Sequence, residues 1–338
     1  MAITQLGKKG MFLTFISIAI IAAVIIIFTP SGLDLSKDIP VIKTRVSNVN
    51  EYVLDLENVY LENALKATGR KTLIGLIKWM ENPLGTARFF TNFKGFEDSF
   101  SEVLLYGQIE GADIDEYYEG AIMDGNTYIN LIDDIKTTAE QTFNVETIFT
   151  VNDIKVEQTR PWFVDVEADI TFRVSSETAS WNKNVLIETE ISVENFDDPY
   201  YLVNTGGSYI NKIRKSDTKF DEWSDEKVID FIEDGNYTHF EDSQAPSFLM
   251  RFTEDETSVS PCCGIESLVN RNTLVSLGLS PSPYKSYVDY LFWTTSEGCV
   301  YTVEGFSNNK FDLGHLSLYK LLKVHSENPF EGITQECP

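Results

Sequence analysis

Histidine is nearly absent from this 338-residue chain, which has three copies, and cysteine is limited to four. Both scarcities exclude chemistry. His239, His315 and His325 are scattered, with no H-x-H or H-E-x-x-H pattern to place two imidazoles on one zinc ion. Cys262 and Cys263 are adjacent, so they lack the C-x2-C spacing with which two thiolates grip one metal. There is also no G-x-S-x-G elbow, no G-x4-G-K-[ST] phosphate loop and no G-x-G-x-x-G after a strand. The acidic stretches "DIDEYYEG" and "MDGN" lack the alternating oxygen ligands, central glycine and final glutamate of a calcium loop. A cysteine nucleophile in "PCCG" would need His315 or His325 as its base, and sequence supplies only the residue types. These absences predict no catalytic residue, no metal and no cofactor.

Positive charge is the third scarcity. The chain carries 27 basic against 52 acidic residues, a net charge of -25. Such a surface repels phosphate backbones, which excludes nucleic acid as a partner and favours solubility in a salty medium. Apolar residues are not scarce. At 43% of the chain they suffice for a substantial core.

The longest apolar run is Met11–Phe28, in which only Thr14 and Ser17 are polar. Its 18 residues just reach the thickness of a bilayer core, and membrane lipid is the partner they predict. Lys8 and Lys9 before it and Asp34 after it put the short N-terminus in the cytoplasm and the body outside. A removable secretory signal is shorter and ends in an A-x-A-like site, whereas this exit reads "IIIFTPSGLDL". A permanent anchor fits better. So does a third reading. The leader "KKG" followed by "MFLTFISIAIIAAVIIIF" resembles the class III signal of archaeal type IV pilin-like proteins. That resemblance implies cleavage between Gly10 and Met11, with Lys8 and Lys9 in the recognised leader and the apolar helix kept as a filament stem. The fifth mature residue would then be Phe15, where the bacterial pilin pattern has glutamate.

Residues 30–42 read as a juncture, with two prolines, a glycine and several hydroxyl residues. A helix follows, because Ile42, Val46, Val49, Val53, Leu56 and Tyr60 recur at spacings of 4, 3, 4, 3 and 4. The stripe then shifts to Leu61, Ala64, Leu65 and Thr68. A shorter amphipathic helix, "KTLIGLIKWMEN", is expected to stop at Pro83, with further helices at about 96–107 and 113–142.

Strands come next. Trp162, Val164, Val166, Ala168, Ile170, Phe172 and Val174 alternate with polar residues, and Val185, Ile187, Thr189, Ile191 and Val193 repeat the pattern. With a strand at 145–157 they predict an antiparallel meander within 145–196, covered by the helices of 43–142. The expected fold is therefore α+β. The stem helix leads into an α+β domain at 43–214 and a smaller cysteine-containing subdomain at 215–338.

All four cysteines lie in the last 77 residues, and an even count outside the cell suggests two disulfides. A bond between Cys262 and Cys263 would close an eight-membered ring, so the expectation is that each reaches one of Cys299 and Cys337, in either pairing. Asn236 opens an Asn-Tyr-Thr sequon, a candidate glycosylation site. Several blocks together, including "IETEISVENFDDPYYLVNT", "PCCGIESLVN", "SYVDYLFW" and "FDLGHLSLYKL", resemble a set of anchored archaeal surface proteins, especially of small-genome lineages. The resemblance implies a pilin-like or adhesion component that contacts itself or other surface proteins. A tethered ligand-binding or sensory ectodomain, with exposed Tyr200, Tyr201 and Trp223 lining its site, is the alternative. An exported hydrolase is the third reading.

Overall fold

A computed structural model describes residues 35–81, 87–117, 120–241, 243–253, 262–306, 309–322 and 329–338, with side chains from residue 43 onward. The fold is α+β with antiparallel sheets, and it divides into two compact units.

Helix α1 (Leu35–Asp55) and helix α2 (Leu61–Glu81) are joined by a π-helical turn, Leu56–Tyr60, where the Leu61 N–H reaches back to the Leu56 carbonyl. A π turn holds one residue more than an α turn, so it rotates the apolar stripe about the axis. That accounts for the shift from Tyr60 to Leu61 in the sequence. "KTLIGLIKWMEN" is therefore the second half of α2 and not a separate helix.

Among the described residues, one unit comprises 35–64, Asn130–Asp153 and Asp169–Ile187. In it Val49, Tyr52, Val53 and Leu56 are buried, and the Tyr52 ring meets Phe143 at 5.3 Å. Phe143 ends helix α4 (Tyr128–Phe143). The expected helix over 113–142 is confined to this span and a 3-10 turn at Ile114–Tyr117. Between them Asp115 organises a loop, its carboxylate accepting the N–H groups of Ile122, Met123 and Asp124 at 2.8–3.1 Å. Backbone capture is thus the use made of Asp113, which accepts the Asp115 N–H at 2.9 Å, and of Asp115.

Strands β1 (Glu146–Arg160), β2 (Phe163–Ser175) and β3 (Ser180–Ser192) form one sheet in that order. The two-residue link Pro161–Trp162 leaves room only for antiparallel pairing. Val164, Val166, Ala168, Ile170, Phe172 and Val174 are all buried, as the alternation predicts. On β3 and just beyond it Ile187, Thr189, Ile191 and Val193 are buried while Glu188, Glu190 and Glu194 face solvent.

The second unit comprises Leu65–Ile129, Ile154–Ala168 and Glu188–Pro338. Its part of α2 lies directly on the sheet: a Cβ added at Gly69 would stand 2.7 Å from Ile191 Cδ1. Helix α3 (Phe93–Tyr106) is capped by Asn92 and closed by Gly107 in the left-handed conformation (φ 69°). Its Phe96 packs on Phe252 at 4.7 Å. A second aromatic cluster joins Trp223, Phe231 and Phe240 around Tyr319, with centroids 4.9–5.9 Å from it.

The rest of this unit is built from short elements. Helix α5 (Pro199–Asn204) and helix α6 (Asp225–Asp234) precede β4 (Tyr237–Thr238), which pairs with β5 (Glu266–Ser267). Helix α7 (Arg271–Ser276), helix α8 (Asp289–Thr294), β6 (Val300–Val303), β7 (Lys310–Phe311), helix α9 (Leu313–Leu318) and β8 (Ile333–Glu336) follow. Strands β6, β7 and β8 form an antiparallel sheet with β6 in the centre.

The disulfides correct the expected cross-pairing: they are Cys262–Cys263 and Cys299–Cys337. Register is the reason. Val300 pairs with Glu336, so the next residues outward, Cys299 and Cys337, meet with Cα atoms 4.2 Å apart. Closing that 38-residue separation stabilises the fold by about 3–4 kcal/mol through the unfolded chain. Cys263 is buried at the start of the segment that leads into β5, leaving its neighbour as its partner.

The approach to β5 is tight. A Cβ at Gly264 would lie 2.1 Å from the Ala245 carbonyl oxygen. Gly264→Ala is expected to cost about 3 kcal/mol, since a backbone atom must move. Gly69→Ala meets only the tip of a flexible isoleucine and gains helix propensity, so it should stay within about 1 kcal/mol of wild type. Urea denaturation of the two variants checks this, and equal losses would show that the segment around Ala245 yields freely.

Candidate functional site

A small set of ionisable groups of the second unit, Asp198, Arg251, Glu266, Asp289 and His315, is buried in its interior. Arg251 sits in a 3-10 turn, Met250–Phe252, inside the apolar run "SFLMRF", and its side chain is wholly buried. A guanidinium cannot shed its proton there, so carboxylates must come to it. Nη1 donates to Asp198 Oδ2 at 2.6 Å and to Asp289 Oδ2 at 2.9 Å, and Nη2 donates to the Ile265 carbonyl. Nε has no hydrogen-bond partner. The faces of Tyr200 and Tyr237 flank the cation at 5.0 and 5.6 Å.

Each carboxylate is held in turn. Asp198 caps α5 through the Tyr200 N–H at 2.8 Å and accepts the Tyr237 hydroxyl at 2.7 Å, while Asn211 donates to that same hydroxyl at 3.0 Å. Asp289 begins α8 and accepts the Ser267 N–H at 3.1 Å and the Ser267 hydroxyl at 2.8 Å. Tyr201 reaches the Ser267 hydroxyl at 2.9 Å. Burial pushes the Asp289 carboxyl above the usual carboxylate range, and Arg251 opposes that rise. Burial also lifts the Tyr201 and Tyr237 phenols well above their ordinary value.

A second cluster begins one residue from Ser267. Glu266 is completely buried and accepts from Ser243 at 2.5 Å and from the Tyr319 hydroxyl at 2.9 Å. His315 on α9 lies between two carboxylates, with Nε2 3.3 Å from Glu266 and Nδ1 2.6 Å from Asp312. Burial alone would lower the imidazolium pKa, but the Glu266 and Asp312 charges outweigh it and raise it to about 10. Burial likewise pushes Asp312 up, and the bonds from His315 and Ser286 bring it down to about 2. His315 is thus a permanent cation at neutral pH.

The arrangement holds two cations among four carboxylates, joined by phenols and hydroxyls. The Tyr290 hydroxyl lies 3.4 Å from His315 Nε2, while Ser243 donates to Glu266. Among the described residues no group of three or more histidine, cysteine or acidic side chains is arranged to hold a metal ion. A shallow depression in the other unit is lined by Glu140, Glu146, Glu177, Asn144 and Ser176.

Several sequence expectations change here. Tyr200 and Tyr201 are fully buried and Trp223 is 5% exposed, so they do not line an exposed site. Tyr200 and Tyr201 belong to α5, drawn inward because Asp198 both caps it and pairs with Arg251. His239 places Nδ1 2.6 Å from the Gly264 carbonyl. Asn236 is half-buried, and the Thr238 that completes its sequon is buried in the β4–β5 pair. Lys8, Lys9, Gly10, Met11, the rest of the apolar run to Phe28, and His325 lie outside the described residues. Among the described residues no helix is long and apolar enough to cross a membrane. Arg251, Asp198, Glu266 and Asp289 are absent from the sequence-derived candidates, and a lone arginine inside "SFLMRF" is the signal that marks the first of them.

Comparison with protein-family models, with curated proteins and with solved structures finds no match.

His315 and Asp312 contribute the two limbs of a pH profile. A raised His315 contributes stability that is complete below pH about 6.5 and is lost as pH rises through about 10. A depressed Asp312 contributes stability present above pH about 4 and lost as pH falls through about 2. Chemical denaturation from pH 3 to 10 should therefore give a maximum on the acid side of neutrality. In His315→Gln the decline between pH about 7 and 10 should flatten, and an unchanged alkaline limb would contradict the assignment.

Proposed function

We propose that this chain is an exported, single-pass protein of the cell surface that serves as a structural or interaction component, pilin-like in plan, and not as an enzyme. The observation that carries this reading is the use of all four cysteines in disulfides within the body of the protein. Such usage belongs to an oxidising compartment. Two features support it further. The apolar run Met11–Phe28 with Lys8 and Lys9 before it orients a membrane helix with the body outside. Helix α1 begins seven positions after Phe28 and is followed by the meander, the order of a stem laid against a sheet.

In this reading the membrane helix holds the chain at the surface, and after cleavage at Gly10–Met11 it can pack against copies of itself. The buried ionic network keeps the smaller elements of the body in one arrangement, and their outer faces are left for contacts with other surface proteins. The strong net charge of -25 keeps that surface soluble and repels nucleic acid.

Intact-mass measurement on protein purified from its native membrane tests the proposal. A mature N-terminus at Met11 is expected for the pilin-like route, and an intact Met1 would indicate a simple anchor. A start beyond residue 30, or four alkylatable thiols without prior reduction, would overturn the reading.

A further inference from the structure

The adjacent cysteines stand at an unusual place. Cys262 is exposed, while Cys263 is buried with Sγ 3.2 Å from the Gln158 carbonyl oxygen. The residues that follow have no slack. Gly264 is pressed against the Ala245 carbonyl, and its own carbonyl lies 2.6 Å from His239 Nδ1. Ile265 donates its N–H to Pro246 at 3.1 Å and gives its carbonyl to Arg251. Glu266 then enters the His315 cluster, and Ser267 donates to Asp289 in the Arg251 cluster. A surface disulfide is therefore separated from the buried network by two residues of fixed backbone.

The two disulfides differ in what they restrain. Cys299–Cys337 closes a 38-residue separation and staples the end of the β6–β8 pair, so opening it releases much chain. Cys262–Cys263 closes no loop beyond its own ring, so almost none of the fold's restraint is lost when it opens. One of its two sulfurs belongs to an exposed residue, which an attacking thiolate can reach.

We propose that Cys262–Cys263 is a reversible two-electron thiol–disulfide exchange site for dithiol reductants at the protein surface, while Cys299–Cys337 is a permanent structural bridge. The thiolate of the dithiol attacks the Cys262 sulfur, the Cys262–Cys263 bond breaks, and Cys263 leaves as a thiolate that takes up a proton. The second thiol of the reductant then attacks the mixed disulfide and releases Cys262 as a thiol. The protein gains two electrons and two protons, and the reductant departs as a cyclic disulfide. The Gln158 carbonyl is already placed to accept the new Cys263 S–H, so the reduced form keeps the same backbone path.

The test uses the full chain under native conditions, titrated with dithiothreitol, quenched in acid, alkylated and mapped by peptide mass spectrometry. Cys262 and Cys263 should be labelled together at a reductant concentration at least about tenfold below that which opens Cys299–Cys337. Far-UV circular dichroism should be unchanged at that point, and oxidised glutathione should restore protection. Simultaneous opening of both bridges, prior opening of Cys299–Cys337, labelling of Cys262–Cys263 only in denaturant, or failure to re-form on oxidation would each overturn the proposal.

Discussion

A wholly buried guanidinium is the constraint on which the second unit depends. Arg251 keeps its charge at any accessible pH, so burial obliges the chain to bring it anions and acceptors. They come from sequence positions far apart: Asp198 before α5, Ile265 before β5 and Asp289 at the start of α8. None of these elements exceeds six residues, too short to persist alone. Removing one partner strands a buried charge at a cost of several kcal/mol, whereas the intact set adds little net stability over a well-packed apolar core. The network thus specifies one arrangement of short pieces more than it supplies energy, and the aromatic cluster around Tyr319 contributes the apolar burial.

Glu266 extends the same logic. It is fully buried one residue from Ser267, and His315 answers its charge as Arg251 answers that of Asp198 and Asp289. The two clusters share strand β5 as a spine, with Ser267 turned to one and Glu266 to the other. The tight contact of Gly264 with Ala245 fixes where that spine runs. Surface charge, by contrast, is abundant and mostly solvated, and pairs such as Lys94–Asp98 at 2.8 Å contribute little.

The sequence made the regular parts legible because their signal is local. Alternation from Val164 to Val174 can be read only as a strand buried on one face, and the stripe from Val46 to Tyr60 only as a helix. Even the break at Leu61 is a true record of the π turn, although periodicity alone gives no reason for it. The interior network was not legible, because burial of Asp198, Glu266 and Asp289 is decided by partners 38 to 53 residues away. Tyr200 and Tyr201 follow "FDDP", which reads as a solvated turn until Asp198 is seen to face Arg251. The disulfide pairing depended likewise on the register of β6 with β8, which neither cysteine's neighbours reveal.

The central claim is that Arg251 and its carboxylates act as one unit. A double-mutant cycle on the full chain, with Arg251→Met and Asp198→Asn singly and together, measures this most directly. Arg251→Met should cost about 3–5 kcal/mol because it leaves two buried carboxylates unanswered. The double variant should be well short of the sum, with a coupling of about 2 kcal/mol or more. Additive losses, within about 0.5 kcal/mol, would contradict the account.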